Sequence, residues 1–204
     1  MGRLMEGLYD NLDEAKAFSL SFTNFAYFYD DLSTWDCHTQ ICETCGKTIQ
    51  TRDYLAPKAN CKKPTSILHS LEFGVSPELR NDLISHFDIT EDDFRPVRTK
   101  RGEIVYYQIT PQHVMLPIYE ENGWHPKETC KQCGFVQYDR PRKTNKNNEP
   151  YFYISSKALE NLHDLNITYE RFGLSIPLFV ISRRVYDYLV ERFPRTHYFP
   201  FFLK

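Results

Sequence analysis

The sequence is poor in glycine, has no long apolar run and carries almost no excess charge. Only 8 of its 204 residues are glycine, so a glycine-rich, phosphate-cradling loop is not expected. No segment approaches the roughly 18 apolar residues that a membrane span requires. The formal net charge is −2 and the isoelectric point is near 6.4. These features give no reason to expect a membrane or a nucleic acid as a partner.

The first residues also lack targeting features. Met1-Gly2-Arg3-Leu4-Met5-Glu6 has no apolar core typical of a signal peptide, and Glu6 stands where a myristoylation signal has Ser or Thr. We therefore expect a cytoplasmic protein. Its six cysteines are too few and too unevenly spaced for a disulfide scaffold, and a reducing compartment favours metal thiolates.

What the chain does contain is apolar and aromatic residues in globular proportion. It is 41% hydrophobic and 25% charged, with 15 Phe and 14 Tyr. Such a composition predicts a soluble protein with an aromatic core. The length is sufficient for a single domain over residues 1–204.

Two Cys-x-x-Cys-Gly motifs, Cys42 to Gly46 and Cys130 to Gly134, are the most informative feature. Each supplies a closely spaced couple of soft ligands, and two couples match the needs of a tetrahedral zinc ion. The glycine after each second cysteine allows the backbone to turn with positive φ. Because all four ligands are cysteines, the site is closed, which is typical of structural zinc. We predict zinc ligands at Cys42, Cys45, Cys130 and Cys133, in a knuckle region formed by residues 37–50 and 126–138.

Other assignments of the cysteines stay open at this point. The two motifs can be unrelated reduced pairs. Cys37 and Cys61 are either buried thiols or alternative ligands. His38, four residues before Cys42, is either a loop histidine or a substitute ligand. A shared ion would join segments about 85 positions apart and would restrict the unfolded chain strongly.

Motifs for catalysis are absent, and we predict that the protein is not an enzyme. None of the seven histidines has Glu two residues later, and Thr129 rather than Pro precedes Cys130, so the zinc-deaminase pattern is missing. Neither cysteine pair is followed by the helical pattern usual for a redox dithiol. The sequence also lacks Gly-x-Ser-x-Gly and His-Glu-x-x-His. We assign no catalytic residues and no cofactor other than zinc.

Three strand-like triplets, each followed directly by a serine, predict the fold. The serines are Ser76, Ser155 and Ser182, and each is suited to cap a helix. After Ser76 and Ser182, apolar residues recur at offsets of 3, 7, 8 and 11, which trace one helical face. We predict an α+β fold with a mixed or antiparallel sheet and Ser-capped helices in repeated strand–helix–strand units, joined by the four-cysteine zinc knuckle pair. Residues 151–204 form its C-terminal strand–helix–strand region.

Other segments carry simpler predictions. Scattered apolar residues within 1–20 suit a short amphipathic helix. Glu91-Asp92-Asp93 has the character of a solvated acidic turn that can also meet a basic partner. We further predict strands at 22–29, 47–51 and 104–109, an exposed loop at 56–66 and a mobile polar loop at 139–150.

With these motifs identified, the chain resembles the double-CxxCG type of bacterial immunity proteins, which are encoded beside polymorphic toxins. The resemblance rests on the two CxxCG motifs, Cys42 to Gly46 and Cys130 to Gly134, and on their separation. The segment from Tyr153 to Leu203 is similar to the closing strand, helix, apolar strand, helix and aromatic strand of that family. The segment from Val75 to Ile109 resembles the Ser-capped helix and Phe-x-Pro-Val sequence of related immunity proteins.

The resemblance implies that the protein binds and neutralises a cognate toxin by occupying its surface. No catalytic residue carries over, and only the four cysteines transfer, as zinc ligands. The alternative is a zinc ribbon that binds nucleic acid or has a regulatory role. For it, the basic residues near the first motif are the best support, namely Lys47, Arg52, Lys58, Lys62 and Lys63.

Overall fold

The computed structural model describes residues 7–21, 39–51, 68–69, 73–98, 101–139, 141, 143–172, 176–193 and 197–204. These residues divide into two compact units. The first unit contains residues 7–21, 113–172 and 177–204, and the second contains the described parts of 39–112 together with Ile176. The single domain expected over residues 1–204 stays a prediction.

The described residues form more strand than helix, and the presence of both makes their class α+β, as expected. The strands are β1 Ala17–Ser21, β2 Thr39–Ile41, β3 Thr48–Thr51, β4 Leu68–His69, β5 Phe73–Val75, β6 Phe94–Arg98, β7 Ile104–Ile109, β8 His125–Thr129, β9 Val136–Asp139, β10 Phe152–Ile154, β11 Leu165–Phe172, β12 Ile176–Ser182 and β13 His197–Leu203. The α-helices are α1 Pro77–His86, α2 Tyr119–Asn122, α3 Ser156–Glu160 and α4 Arg183–Arg192, with 3₁₀ turns at Leu12–Glu14 and Glu91–Asp93.

The first unit is built on a five-stranded sheet with the order β10-β13-β1-β12-β11. Strand β1 pairs antiparallel with both β12 and β13, whereas β10 runs parallel to β13. The sheet is thus mixed, and β11 is one of its edges. A hairpin of β8 and β9 belongs to the same unit.

The core of the first unit consists of buried side chains from β1, from other strands of the sheet and from the segments that connect them. The ring of Phe18 stacks on that of Tyr186 in α4, with centroids 3.6 Å apart. The resulting burial of aromatic surface joins the helix to the sheet. A second buried cluster consists of Ala17, Met115, Ile118, Trp124, Ile154, Ala158, Val180 and Phe201.

The amphipathic helix predicted within residues 1–20 is wrong for the part that the structure describes. Residues 12–14 make a single 3₁₀ turn, and Ala17–Ser21 is the central strand β1. Phe18 and Ser19 are both fully buried although they face opposite sides of the sheet. Both faces of β1 are therefore covered, as expected for a strand in the middle of a sheet.

The second unit contains an antiparallel sheet with the order β4-β5-β7-β6 and the hairpin of β2 and β3. Helix α1 buries Leu79 and Leu83. The guanidinium of Arg80, between them, lies 4.6 Å from the ring centroid of Tyr107 in β7. The strands predicted at 47–51 and 104–109 correspond to β3 and β7.

Three helices begin directly after a serine with extended backbone, and its hydroxyl oxygen accepts a hydrogen bond from an amide of the first turn. Such a bond satisfies one of the amides that a helix start otherwise leaves unpaired. The donor amides lie 3.2 Å from Ser76 Oγ (Leu79), 3.2 Å from Ser155 Oγ (Ala158) and 3.4 Å from Ser182 Oγ (Val185).

Several predicted features lie outside the described residues. These are the aromatic strand at 22–29, the loop at 56–66, Cys37, His38 and Cys61. Every helix in the described part of the chain is too short or too polar to cross a lipid bilayer.

Candidate metal centre

The first CxxCG motif forms the loop of the β2–β3 hairpin. Ile41 pairs with Thr48, so residues 42–47 close the turn. Within it the amide of Gly46 donates to the carbonyl oxygen of Cys42 at 2.8 Å, and the amide of Cys42 donates to the carbonyl oxygen of Lys47 at 2.8 Å. These two hydrogen bonds close the short loop that carries both cysteines.

The second motif repeats this geometry in the β8–β9 hairpin. Thr129 pairs with Val136 across residues 130–135. The amide of Gly134 donates to the carbonyl oxygen of Cys130 at 2.9 Å, and the amide of Cys130 donates to the carbonyl oxygen of Phe135 at 2.8 Å. The two loops therefore match bond for bond.

The glycines of both motifs have the positive φ that the sequence predicts. Gly46 has a φ of +67° and Gly134 a φ of +71°. A Cβ built at either position would meet no atom within 4 Å. Glycine is thus required by the left-handed backbone and not by crowding.

The four predicted ligands lie together. The Sγ atoms of Cys42, Cys45, Cys130 and Cys133 are all within 4.8 Å of one another. Cys42 is buried, and the other three are partly exposed. This placement confirms that the two motifs form one four-cysteine cluster compatible with a metal ion.

The donor set and its spacing fit zinc. A tetrahedron with Zn–S bonds of about 2.3 Å has edges of about 3.8 Å. Sulfur atoms no more than 4.8 Å apart need only a slight approach to reach those edges. Four thiolates leave no position for a substrate, so the chemistry that they support is structural.

Glu170 is a buried acidic residue that the sequence analysis did not single out. It lies in β11, is only 1% exposed and lines a cavity that Cys133 also lines. The surrounding sequence alternates apolar and polar residues up to Glu170, a pattern that predicts a buried apolar face, whereas the structure buries the polar residues Asn166, Thr168 and Glu170. Burial raises the pKa of the Glu170 carboxyl, and hydrogen bonds from the backbone amides of Ile118 and Tyr119 partly oppose that shift.

Comparison of the chain with protein-family models, with curated proteins and with solved structures finds no match.

Proposed function

We propose that the four-cysteine cluster holds a structural zinc ion and that the protein is an immunity protein. In this proposal it binds a cognate bacterial toxin in the cytoplasm and neutralises it by occlusion. No catalytic step is involved, because the protein acts by covering a surface of the toxin. The zinc ion stabilises the fold by joining segments that are distant in the sequence.

The observation that carries the proposal is the approach of the two CxxCG motifs to within 4.8 Å. The resemblance to double-CxxCG immunity proteins depends on the two motifs acting together. Their identical loop hydrogen bonds support that reading, because each loop presents its cysteines in the same way. The three serine-capped segments support the second part of the resemblance, and we propose that they are copies of one strand–helix–strand unit.

Co-expression with the product of the neighbouring toxin gene tests the immunity function. The toxin module is induced in a susceptible host with and without this protein. We expect survival only when both are present, and recovery of the two proteins as one complex. A toxin module of unrelated sequence serves as the control and should still kill. Death despite co-expression, with no complex recovered, would reject the immunity function while leaving the metal site intact.

A gel-shift measurement separates this function from the nucleic-acid-binding alternative. A zinc ribbon that binds DNA or RNA shifts random-sequence probes, and its affinity falls steeply as the salt concentration rises. We expect no shift at 50 to 200 mM salt, roughly the range over which such binding weakens strongly. A shift abolished by salt would favour the alternative.

A further inference from the structure

A cavity of about 250 Å³ lies between the edge strand β11 and strand β9 in the first unit. Its walls include Val114, Tyr138, Tyr169 and Glu170. The cavity is therefore large enough for several heavy atoms and is lined by aromatic rings beside one buried acid. Neither the zinc proposal nor the occlusion proposal uses these side chains.

Within the part of the chain that the structure describes, only one of the two carboxyl oxygens of Glu170 accepts a hydrogen bond. Oε1 accepts hydrogen bonds from the amides of Ile118 at 2.8 Å and Tyr119 at 2.9 Å. Oε2 is buried and has no hydrogen-bond partner among the described residues. A buried carboxyl oxygen without a partner is costly, because it has lost water and gained nothing in exchange.

No cation compensates Glu170 within the described part of the chain. The charged side chain that acts on its carboxyl is Glu121, which raises its pKa further. Arg171 also lines the cavity, but its side chain is exposed. The cavity is therefore lined by a buried carboxyl group that is not paired with a cation among the described residues.

The aromatic rings near Glu170 are suited to a cation. The rings of Tyr119 and Tyr138 stack with centroids 5.6 Å apart. Burial, followed by the charge of Glu170, raises the pKa of Tyr138 to about 12, so its ring is neutral at physiological pH. Tyr169 is 53% exposed and lines the cavity. Neutral tyrosine rings attract organic cations through the negative faces of their π systems.

We propose that this cavity binds an organic cation with a primary ammonium or guanidinium head group. Glu170 Oε2 accepts hydrogen bonds from the head group, and the rings of Tyr138 and Tyr169 contact its apolar stem. A head group of this kind is present both in free amines and in Lys or Arg side chains of a protein. The proposal does not depend on the immunity function.

Calorimetric titration of the full-length protein, with its metal content measured, tests the site. The probes are n-butylammonium chloride and 1-pentanol, which have similar size but differ in charge. We expect saturable binding of the ammonium at roughly millimolar concentration and none of the alcohol. Glu170→Gln keeps an oxygen for the two amides and should weaken binding at least about tenfold. Glu128→Gln, at an exposed position on β8, is the matched control and should bind as the wild type does.

A second comparison identifies the source of the head group. If the peptide acetyl-Gly-Lys-Gly-amide binds more tightly than n-butylammonium, the natural head group belongs to a protein side chain. If n-butylammonium binds more tightly, the natural ligand is a free amine. Absence of binding by both probes, or equal binding to the wild type and Glu170→Gln, would overturn the proposal. If Glu170→Gln does not fold, Tyr138→Leu replaces it, and unchanged affinity in that variant would overturn the proposal equally.

Discussion

The phenol of Tyr9 donates a 2.6 Å hydrogen bond to the carbonyl oxygen of Pro150, 141 positions further along the chain. Tyr9 is only 6% exposed. The neighbouring Asn145 donates from its side chain to the carbonyl oxygen of Leu8 at 2.6 Å. The polar segment at 139–150, which the sequence suggests is mobile, is thus held against the N-terminal segment in its later part.

Removal of the Tyr9 hydroxyl should destabilise the first unit. Tyr9→Phe leaves the carbonyl oxygen of Pro150 without its donor, and we expect a loss of about 1 kcal/mol in the free energy of unfolding. Thermal unfolding should shift down by roughly 2–4 °C for a chain of this size. Tyr169→Phe, at a position that is 53% exposed, should leave the midpoint unchanged. Equal midpoints for wild type and Tyr9→Phe would show that the hydrogen bond contributes nothing.

Metal analysis should identify the four ligands. Protein purified without added zinc should contain about one equivalent of metal, because four thiolates in one cluster bind one ion. Cys130→Ser and Cys133→Ser should each lower the metal content towards zero and lower the unfolding temperature by several degrees.

Two further variants resolve the alternatives that the sequence left open. Cys37→Ser and Cys61→Ser should keep about one equivalent, since the cluster already supplies the four donors of a structural site. Loss of metal in either variant would show that the ligand set differs from Cys42, Cys45, Cys130 and Cys133.

Substitution of the knuckle glycines should cost stability through the backbone alone. Gly134 has a φ of +71°, and an added Cβ would have no atom within 4 Å, so alanine there should cost about 1 kcal/mol. Gly134→Asn should cost less, because asparagine tolerates the left-handed region better than alanine does. Metal affinity, measured by competition with a chelator, should follow the same order. Equal effects of the two substitutions would point to a cause other than φ.

The sequence was informative where a local pattern determines the structure. The equal spacing of the two CxxCG motifs predicted a shared cluster, and the four cysteines do lie together. This prediction succeeded because each loop closes through hydrogen bonds between residues close in sequence, such as Gly46 and Cys42. The strand at Ile104–Ile109 was likewise evident from its run of branched and aromatic residues.

The sequence was misleading where distant partners determine the structure. Ala17–Ser21 became a central strand through pairing with β12 and β13, which lie more than 150 positions away. A local pattern of apolar residues carries no information about such partners. Glu170 was missed for the same reason, since its burial depends on the amides of Ile118 and Tyr119 some 50 positions earlier.

Acid should destabilise the protein through His113. Burial, followed by the nearby charge of His163, lowers the pKa of His113 below its usual value of 6.5. The unfolded chain therefore binds a proton more readily than the folded chain does, so stability falls as the pH drops below about 6.5.

The close approach of the imidazole rings of His113 and His163 identifies the variants to compare. Their centroids are 3.9 Å apart, so a positive charge on His113 lies against its neighbour. His113→Gln, which cannot be protonated, should show a smaller loss of stability between pH 8 and pH 5.5 in denaturant titrations, and His163→Gln should reduce the loss in part. An unchanged pH dependence in His113→Gln would assign the acid sensitivity to another group.

Asp93 is a buried exception in the acidic turn that the sequence suggests is solvated. It is 8% exposed, whereas Glu91 and Asp92 are exposed. Its Oδ2 accepts from the amide of Thr90 at 2.9 Å, and its Oδ1 accepts from the amide of Gln112 at 2.9 Å. The carboxylate thus joins the 3₁₀ turn to the segment that leaves β7.

Loss of this carboxylate should be costly because it leaves two amides without acceptors. We expect Asp93→Ala to lower the free energy of unfolding by about 2 kcal/mol. Asp93→Asn should cost less, because its single oxygen still accepts from one amide while its NH₂ group faces the other. Asp92→Asn removes the same charge one residue earlier from an exposed side chain and should have no measurable effect. A similar loss in Asp92→Asn and Asp93→Asn would indicate that charge in the turn, and not the two hydrogen bonds, determines its stability.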